Sequence, residues 1–339
     1  MTPRRGANES DLSRALSVLR DGDLDAADGI ARRLLVDTPD DPAVHQLAAV
    51  IALQRGEIDQ AARAASASLA RRPDHVPTLI IAGRAARASA DLATAAAFFR
   101  RAMALAPERA DAAFCACVTL LERGDPEAQA LLPWLLAQFP DDAEGWRNLA
   151  AALQKAGQLE AALVGFTRAA HAAPSVALHL QRGMLLESLD RRVDAIAAYR
   201  AATDMASDNA DALLKLGLCL RRCGDKDAAA PLEQAVECGQ SNSDAWFALA
   251  LVRQDHRDFA AAAEAYRRAL EIRPDFAEAA VNLGTCYQEI GDVGTAKANY
   301  RLALQLKPET FGRIAQALAA APVGEVWLEA AALRKSLGG

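Results

Sequence analysis

The side chains in this 339-residue chain that could act on another molecule are mostly cations and amides rather than catalytic groups. Arg84 and Arg87 stand three apart, so a helix carries both on one face, where they would hold an anion by charge and by their fixed forks of N–H donors. Residues 42–109 hold nine arginines against five acids, a local excess of positive charge in a chain whose net charge is −6. The six cysteines do not form a metal-binding pattern. Cys219 and Cys223 are four apart and share a helix face, but Cys115 and Cys117 diverge by about 200° at 3.6 residues per turn, and no Cys-x2-Cys pair exists. Cysteine is read here as a small buried apolar residue, and no metal is expected. The five histidines are scattered. Gly-x-Ser-x-Gly, His-Glu-x2-His and phosphate-cradling glycine loops are all absent. No catalytic residue is assigned, no cofactor is expected, and the chain is read as not an enzyme.

The elements that must position those cations are helices. No stretch alternates with period two, and one helix-turn-helix unit recurs in register at 8–41, 42–75, 76–109, 110–142, 143–175, 176–209, 210–242, 243–276 and 277–310. Position 8 of the unit holds Ala15, Ala49, Gly83, Cys117, Ala150, Gly183, Gly217, Ala250 and Gly284, nothing larger than cysteine. Position 20 holds Ala27, Ala61, Ala95, Gln129, Ala162, Ala195, Ala229, Ala262 and Ala296, with Gln129 as the exception. Facing small residues let two helices approach closely. Gly22, Gly56, Gly124, Gly157, Gly224 and Gly291 mark the turn inside a unit, and a proline such as Pro107 or Pro274 marks its end.

The copy at 277–310 carries Asn282-Leu283-Gly284-Thr285-Cys286-Tyr287, then Ala296, Tyr300, Ala303 and Pro308, and the copy before it carries Trp246, Leu249-Ala250, Ala262, Tyr266, Ala269 and Pro274. This pattern resembles the tetratricopeptide-repeat family. The resemblance implies an all-α fold: an α-solenoid of nine helix-turn-helix units in a right-handed superhelix, preceded by an N-terminal tail (1–7) and closed by a C-terminal capping helix and tail (311–339). Residues 311–321 are expected to form one more helix, with Ile314 and Leu318 packed on the last unit. It also implies a protein or peptide ligand on the concave face lined by the first helix of each unit. Carried over by position, the contact residues are Arg84, Arg87, Phe114, Arg147, Asn148, Lys155, Gln181, Lys215, Arg221, Phe247 and Asn282. Towards the C-terminus Asp244, Asp255, Glu278 and Glu289 reverse the sign of the groove. No unit has the Lys and Asn pair with which relatives clamp chaperone C-termini. Asn148 and Asn282, with Gln181 between, match part of the asparagine ladder of O-linked N-acetylglucosamine transferases. The leading function is therefore an interaction scaffold or adaptor. The second is a substrate-recruiting arm for a glycosyltransferase or sulfotransferase.

Composition agrees. The 52% apolar content with only 5% aromatic residues reflects alanine-rich helices. The negative charge disfavours nucleic acid. No apolar run reaches the ~20 residues of a membrane span, and the start Met1-Thr2-Pro3-Arg4-Arg5-Gly6 has no apolar signal core. A cytoplasmic protein without membrane contact is expected. Two units depart from the pattern. Pro133 falls inside the second helix of 110–142, which predicts a kink or a late start, with Trp134 moving into the aromatic slot held elsewhere by Phe99, Phe166, Tyr199, Tyr266 and Tyr300. Pro231 stands early in the second helix of 210–242.

Overall fold

A small residue at position 8 faces alanine at position 20 in every helix pair, and this contact sets the architecture of the computed structural model, which describes residues 3–319. The chain divides into two compact units, 1–174 and 175–339. In the first, helices α1 (Pro3–Arg20), α2 (Leu24–Asp37), α3 (Pro42–Gln54), α4 (Ile58–Arg71), α5 (Val76–Ala88), α6 (Leu92–Leu105), α7 (Ala110–Glu122), α8 (Glu127–Gln138), α9 (Ala143–Lys155) and α10 (Leu159–Ala172) stack as successive antiparallel pairs. The second contains α11 (Val176–Ser188), α12 (Arg192–Met205), α13 (Ala210–Arg222), α14 (Ala229–Cys238), α15 (Ser243–Asp255), α16 (Phe259–Ile272), α17 (Ala277–Ile290), α18 (Val293–Leu306) and α19 (Phe311–Ala319). Each unit is an all-α solenoid stack, and no strand occurs among the described residues. None of the described helices is long and apolar enough to cross a membrane.

The turn inside each pair needs one residue in the left-handed region. Glycine supplies it six times (Gly22, Gly56, Gly124, Gly157, Gly224, Gly291), and Ala90, Asp190 and Arg257 do so at φ near 60°. Asp23, Asp91, Asp258 and Asp292 then cap the second helix by accepting a backbone N–H.

The two irregular pairs correct the sequence alignment. In α8 the residue against Cys117 is Ala128, not Gln129: Ala128 is fully buried and its carbonyl accepts from the Cys117 thiol. In the other pair Ala228, not Ala229, is the buried alanine. The residue missing from each of these units is therefore lost at the turn, where a 3-10 turn at Lys226–Ala228 takes up the slack in the second. All nine position-20 contacts are alanine once this shift is made. Trp134 does not enter the aromatic slot. It is half-buried and packs edge-on against Phe139, while Leu135 is the fully buried residue of α8. Pro133 sits on the exposed side of a continuous helix.

Where position 24 is tyrosine, its hydroxyl donates to the position-12 residue of the same pair: Tyr199 to Glu187, Tyr266 to Gln254 and Tyr300 to Gln288. Those hydroxyls are buried, and each has a partner. Helix α19 closes the last pair, with Ile314 and Leu318 buried against Ala280, Val281 and Tyr300. The expectations for 320–339 lie outside the described residues.

Candidate functional site

The helix-A face of the first unit contains a cavity of about 640 Å³ built by α5, α7 and α9. Its origin is the irregular α8. Elsewhere in this unit the second helix of a pair packs on the next pair's first helix, but α9 rests mainly on α7. That arrangement needs a notch. Gly145 provides it: a Cβ there would fall 2.3 Å from Phe114 Cδ2, far inside van der Waals contact. Phe114 is buried and meets the Trp146 ring edge-on at 5.2 Å, with Phe139 6.2 Å away on the other side. The Trp146 indole N–H donates to the Phe139 carbonyl at 2.7 Å, which fixes this aromatic group.

Phe114 and Val118 on α7 form the floor of the cavity with the half-buried Cys115, and Ala151 and Ala152 on α9 leave it open because they are small. Arg84 and Arg87 enter from α5, and Asn148 and Lys155 from α9. Among the described residues these four polar side chains make no ion pair or side-chain hydrogen bond. Four carboxylates also line the cavity, and two of them are already used. Asp111 accepts from Arg109 at 3.1 and 2.7 Å. Burial pushes its carboxyl upward, but the Arg109 hydrogen bond and charge, with a contribution from Arg84, leave it below the usual carboxylate value. Asp142 caps α9 by accepting the Gly145 N–H at 2.7 Å. Glu122 and Glu144 stand exposed at the rim.

Five of the eleven residues carried over from the sequence therefore meet in one place: Arg84, Arg87, Phe114, Asn148 and Lys155. Arg147 is exposed next to Asn148 but does not line the cavity. The rest lie in the second unit, and three of them are occupied. Arg221 pairs with Asp255 at 2.5 Å, while its neighbour Arg222 pairs with Glu187 at 2.7 Å, so adjacent arginines of α13 tie α11 and α15 to it. Phe247 packs on Phe276 and Tyr266 at 4.6 and 5.5 Å. Asn282 is buried, donating to the Tyr266 hydroxyl and accepting from Arg313, both at 3.2 Å. Gln181 is exposed and Lys215 half-buried. The sign reversal expected towards the C-terminus is largely cancelled, because Asp244 pairs with Arg273 and Glu278 with Lys307. Sequence reasoning missed Gly145, Ala151 and Ala152. Their only signal is smallness beside a bulky Phe114 one unit earlier.

A family model for the tetratricopeptide repeat matches residues 12–76, 180–245 and 247–309, together more than half of the chain. The chain belongs to the tetratricopeptide-repeat family. The residues of the cavity fall between the matched stretches of this tetratricopeptide-repeat protein. No curated protein sequence matches it. Among solved structures, a MamA protein is similar at 21% identity with a TM-score of 0.47, over 55% of this chain and 98% of that one. Residues 41 to the end of MamA from Desulfovibrio magneticus RS-1 align at 20% identity and a TM-score of 0.47, over 50% and 97%. YrrB, a TPR protein with an unusual peptide-binding site, aligns at 20% identity and a TM-score of 0.46, over 52% and 93%.

Proposed function

We propose that this protein is an interaction scaffold or adaptor that holds a peptide or protein segment on its helix-A face, with the α5–α7–α9 cavity as the principal site. Membership of a family whose stacked repeats form extended binding surfaces supports the general role. The observation that carries the site is the cavity itself. It brings three cations without partners over an apolar floor, whereas most other arginines in the chain are paired with acids on neighbouring helices. A few polar groups converging on an apolar concavity are what a binding site requires. The transferase-arm alternative drew on an asparagine ladder, and Asn282 spends its amide on Tyr266 and Arg313. The adaptor reading is therefore the better supported one.

Selection from a displayed library of random peptides tests it. The parent chain should enrich a family of peptides that an Arg84→Glu/Arg87→Glu/Lys155→Glu variant no longer retains, with unchanged helical circular dichroism. Failure to enrich any peptide, or enrichment indifferent to the three changes, would refute the site.

A further inference from the structure

We infer that the cavity selects an extended acidic segment with an apolar residue midway between two carboxylates, an inference that rests on the binding role proposed above. The argument is one of dimensions. Neighbouring packed helices lie roughly 8–10 Å apart, so Arg84 and Arg87 on α5 and Lys155 on α9 are separated by two steps, about 16–20 Å at the backbone. About 640 Å³ spread over ~20 Å leaves a cross-section near ~30 Å². A helix with its side chains is ~10–12 Å wide and needs more than twice that section, whereas an extended chain fits. At ~3.3 Å per residue an extended chain crosses from α5 to α9 in five or six residues.

The chemistry along that path is fixed by the lining. At one end stand Arg84 and Arg87, one helical turn apart. In the middle lies the Phe114–Val118 floor, opened by Ala151 and Ala152. At the other end is Lys155, with Arg147 exposed on the same helix. Carboxylates flanking an apolar residue by two or three positions on each side would meet these groups in order. Asn148 is placed to hydrogen-bond the ligand backbone. Asp111 and Asp142 do not oppose the acids, because Arg109 and the α9 N-terminus already engage them. Glu122 and Glu144 remain at the rim, where they can accept backbone N–H groups and set a limit on how many acids the ligand carries. The positions used differ from the Lys-and-Asn clamp with which relatives hold chaperone C-termini, so the ligand here is an internal segment rather than a chain end.

The test uses the full chain and three labelled peptides: Asp-Gly-Ser-Leu-Ser-Gly-Asp and its counterparts with Asn or Lys in place of both Asp. Anisotropy gives affinity. Alkylation of Cys115, followed by mass spectrometry, reports occupancy of this cavity, with exposed Cys223 and Cys238 as internal controls in the other unit. The acidic peptide should bind at least about five-fold tighter than the Asn form, lose affinity with added salt, and slow alkylation of Cys115 only. Arg84→Glu/Arg87→Glu should weaken it roughly ten-fold, and Arg84→Gln/Arg87→Gln by less. If the Asn or Lys peptide binds as well or better while protecting Cys115, the acidic inference falls and the binding role stands. If none of the three protects Cys115 but library-selected peptides do, the inference alone is wrong. If no peptide of either kind protects Cys115, both fall.

Discussion

Replacing Gly145 with alanine puts the construction of the cavity to a test in which the sign of the effect decides. In the interior of an exposed helix, glycine to alanine stabilises by roughly 0.5–1 kcal/mol through backbone entropy. Gly145 lies within α9, so propensity alone predicts a gain. The structure predicts a loss. The new methyl would lie 2.3, 2.4 and 2.7 Å from three atoms of the Phe114 ring, where carbon–carbon contact requires ~3.5–4 Å. The ring would have to retreat by more than ~1 Å, and Trp146 and Phe139 stand in its way. Overpacking of this kind costs about 1–3 kcal/mol, which outweighs the propensity gain. A net loss of about 1–2 kcal/mol corresponds to roughly 2–8 °C for a unit of this size. Gly29→Ala supplies the control, because a Cβ at Gly29 in α2 meets nothing within 4 Å, and it should gain the helical increment. Urea denaturation gives the free energies, and hydrogen exchange of peptides from α9 locates the change in the first unit. A Phe114→Leu background should remove most of the Gly145→Ala penalty, a coupling of at least about 1 kcal/mol. Should Gly145→Ala stabilise as Gly29→Ala does, or prove additive with Phe114→Leu, the notch does not exist and the account of the cavity fails.

Ala90 adopts φ 63° in the turn before α6, a conformation that costs a non-glycine residue about 1 kcal/mol. Ala90→Gly should therefore raise the stability of the first unit by up to about that amount in urea denaturation, and an unchanged or lower midpoint would contradict the turn geometry. His75 and His179 are both held below the ordinary histidine value, by burial first, then by Arg72 and Arg109 for His75 and by Arg182 for His179. The unfolded chain thus takes up protons before the folded one does. Stability should be full above the unfolded value near ~6.5 and decline as pH falls from there towards the folded values. Denaturation midpoints between pH 7 and 5 should show this slope, and His75→Gln/His179→Gln should flatten it; an equally steep profile in the double variant would assign the loss to other groups. Burial pushes the Cys117 and Cys286 thiols up to about 12. At pH 8 iodoacetamide should modify exposed Cys223 and Cys238 well before either, and Cys117 reacting at the rate of Cys223 would show that α7 and α8 do not pack as described.

The sequence by itself determined the repeat, its helices and the small residues that face each other within a pair. Those contacts join residues about 12 apart in a fixed period, so type and spacing alone specify them, as Gly83 over Phe99 and Gly284 over Tyr300 illustrate. It also marked α8 and α14 as irregular, but it could not place the missing residue, because a one-residue gap fits either the turn or the helix. Only packing against Cys117 and Gly217 selects Ala128 and Ala228. The availability of the charged groups was likewise decided by tertiary structure. Position named Arg84 and Arg221 alike as groove residues, yet Arg221 meets Asp255 34 residues away while Arg84 meets no acid at ion-pair distance among the described residues. Side-chain pairing across helices depends on distances that no period in the sequence encodes. The cavity has the same origin: it exists because Gly145 lets Phe114 sink against α9, a contact between residues 31 apart whose shape appears only when the helices are stacked.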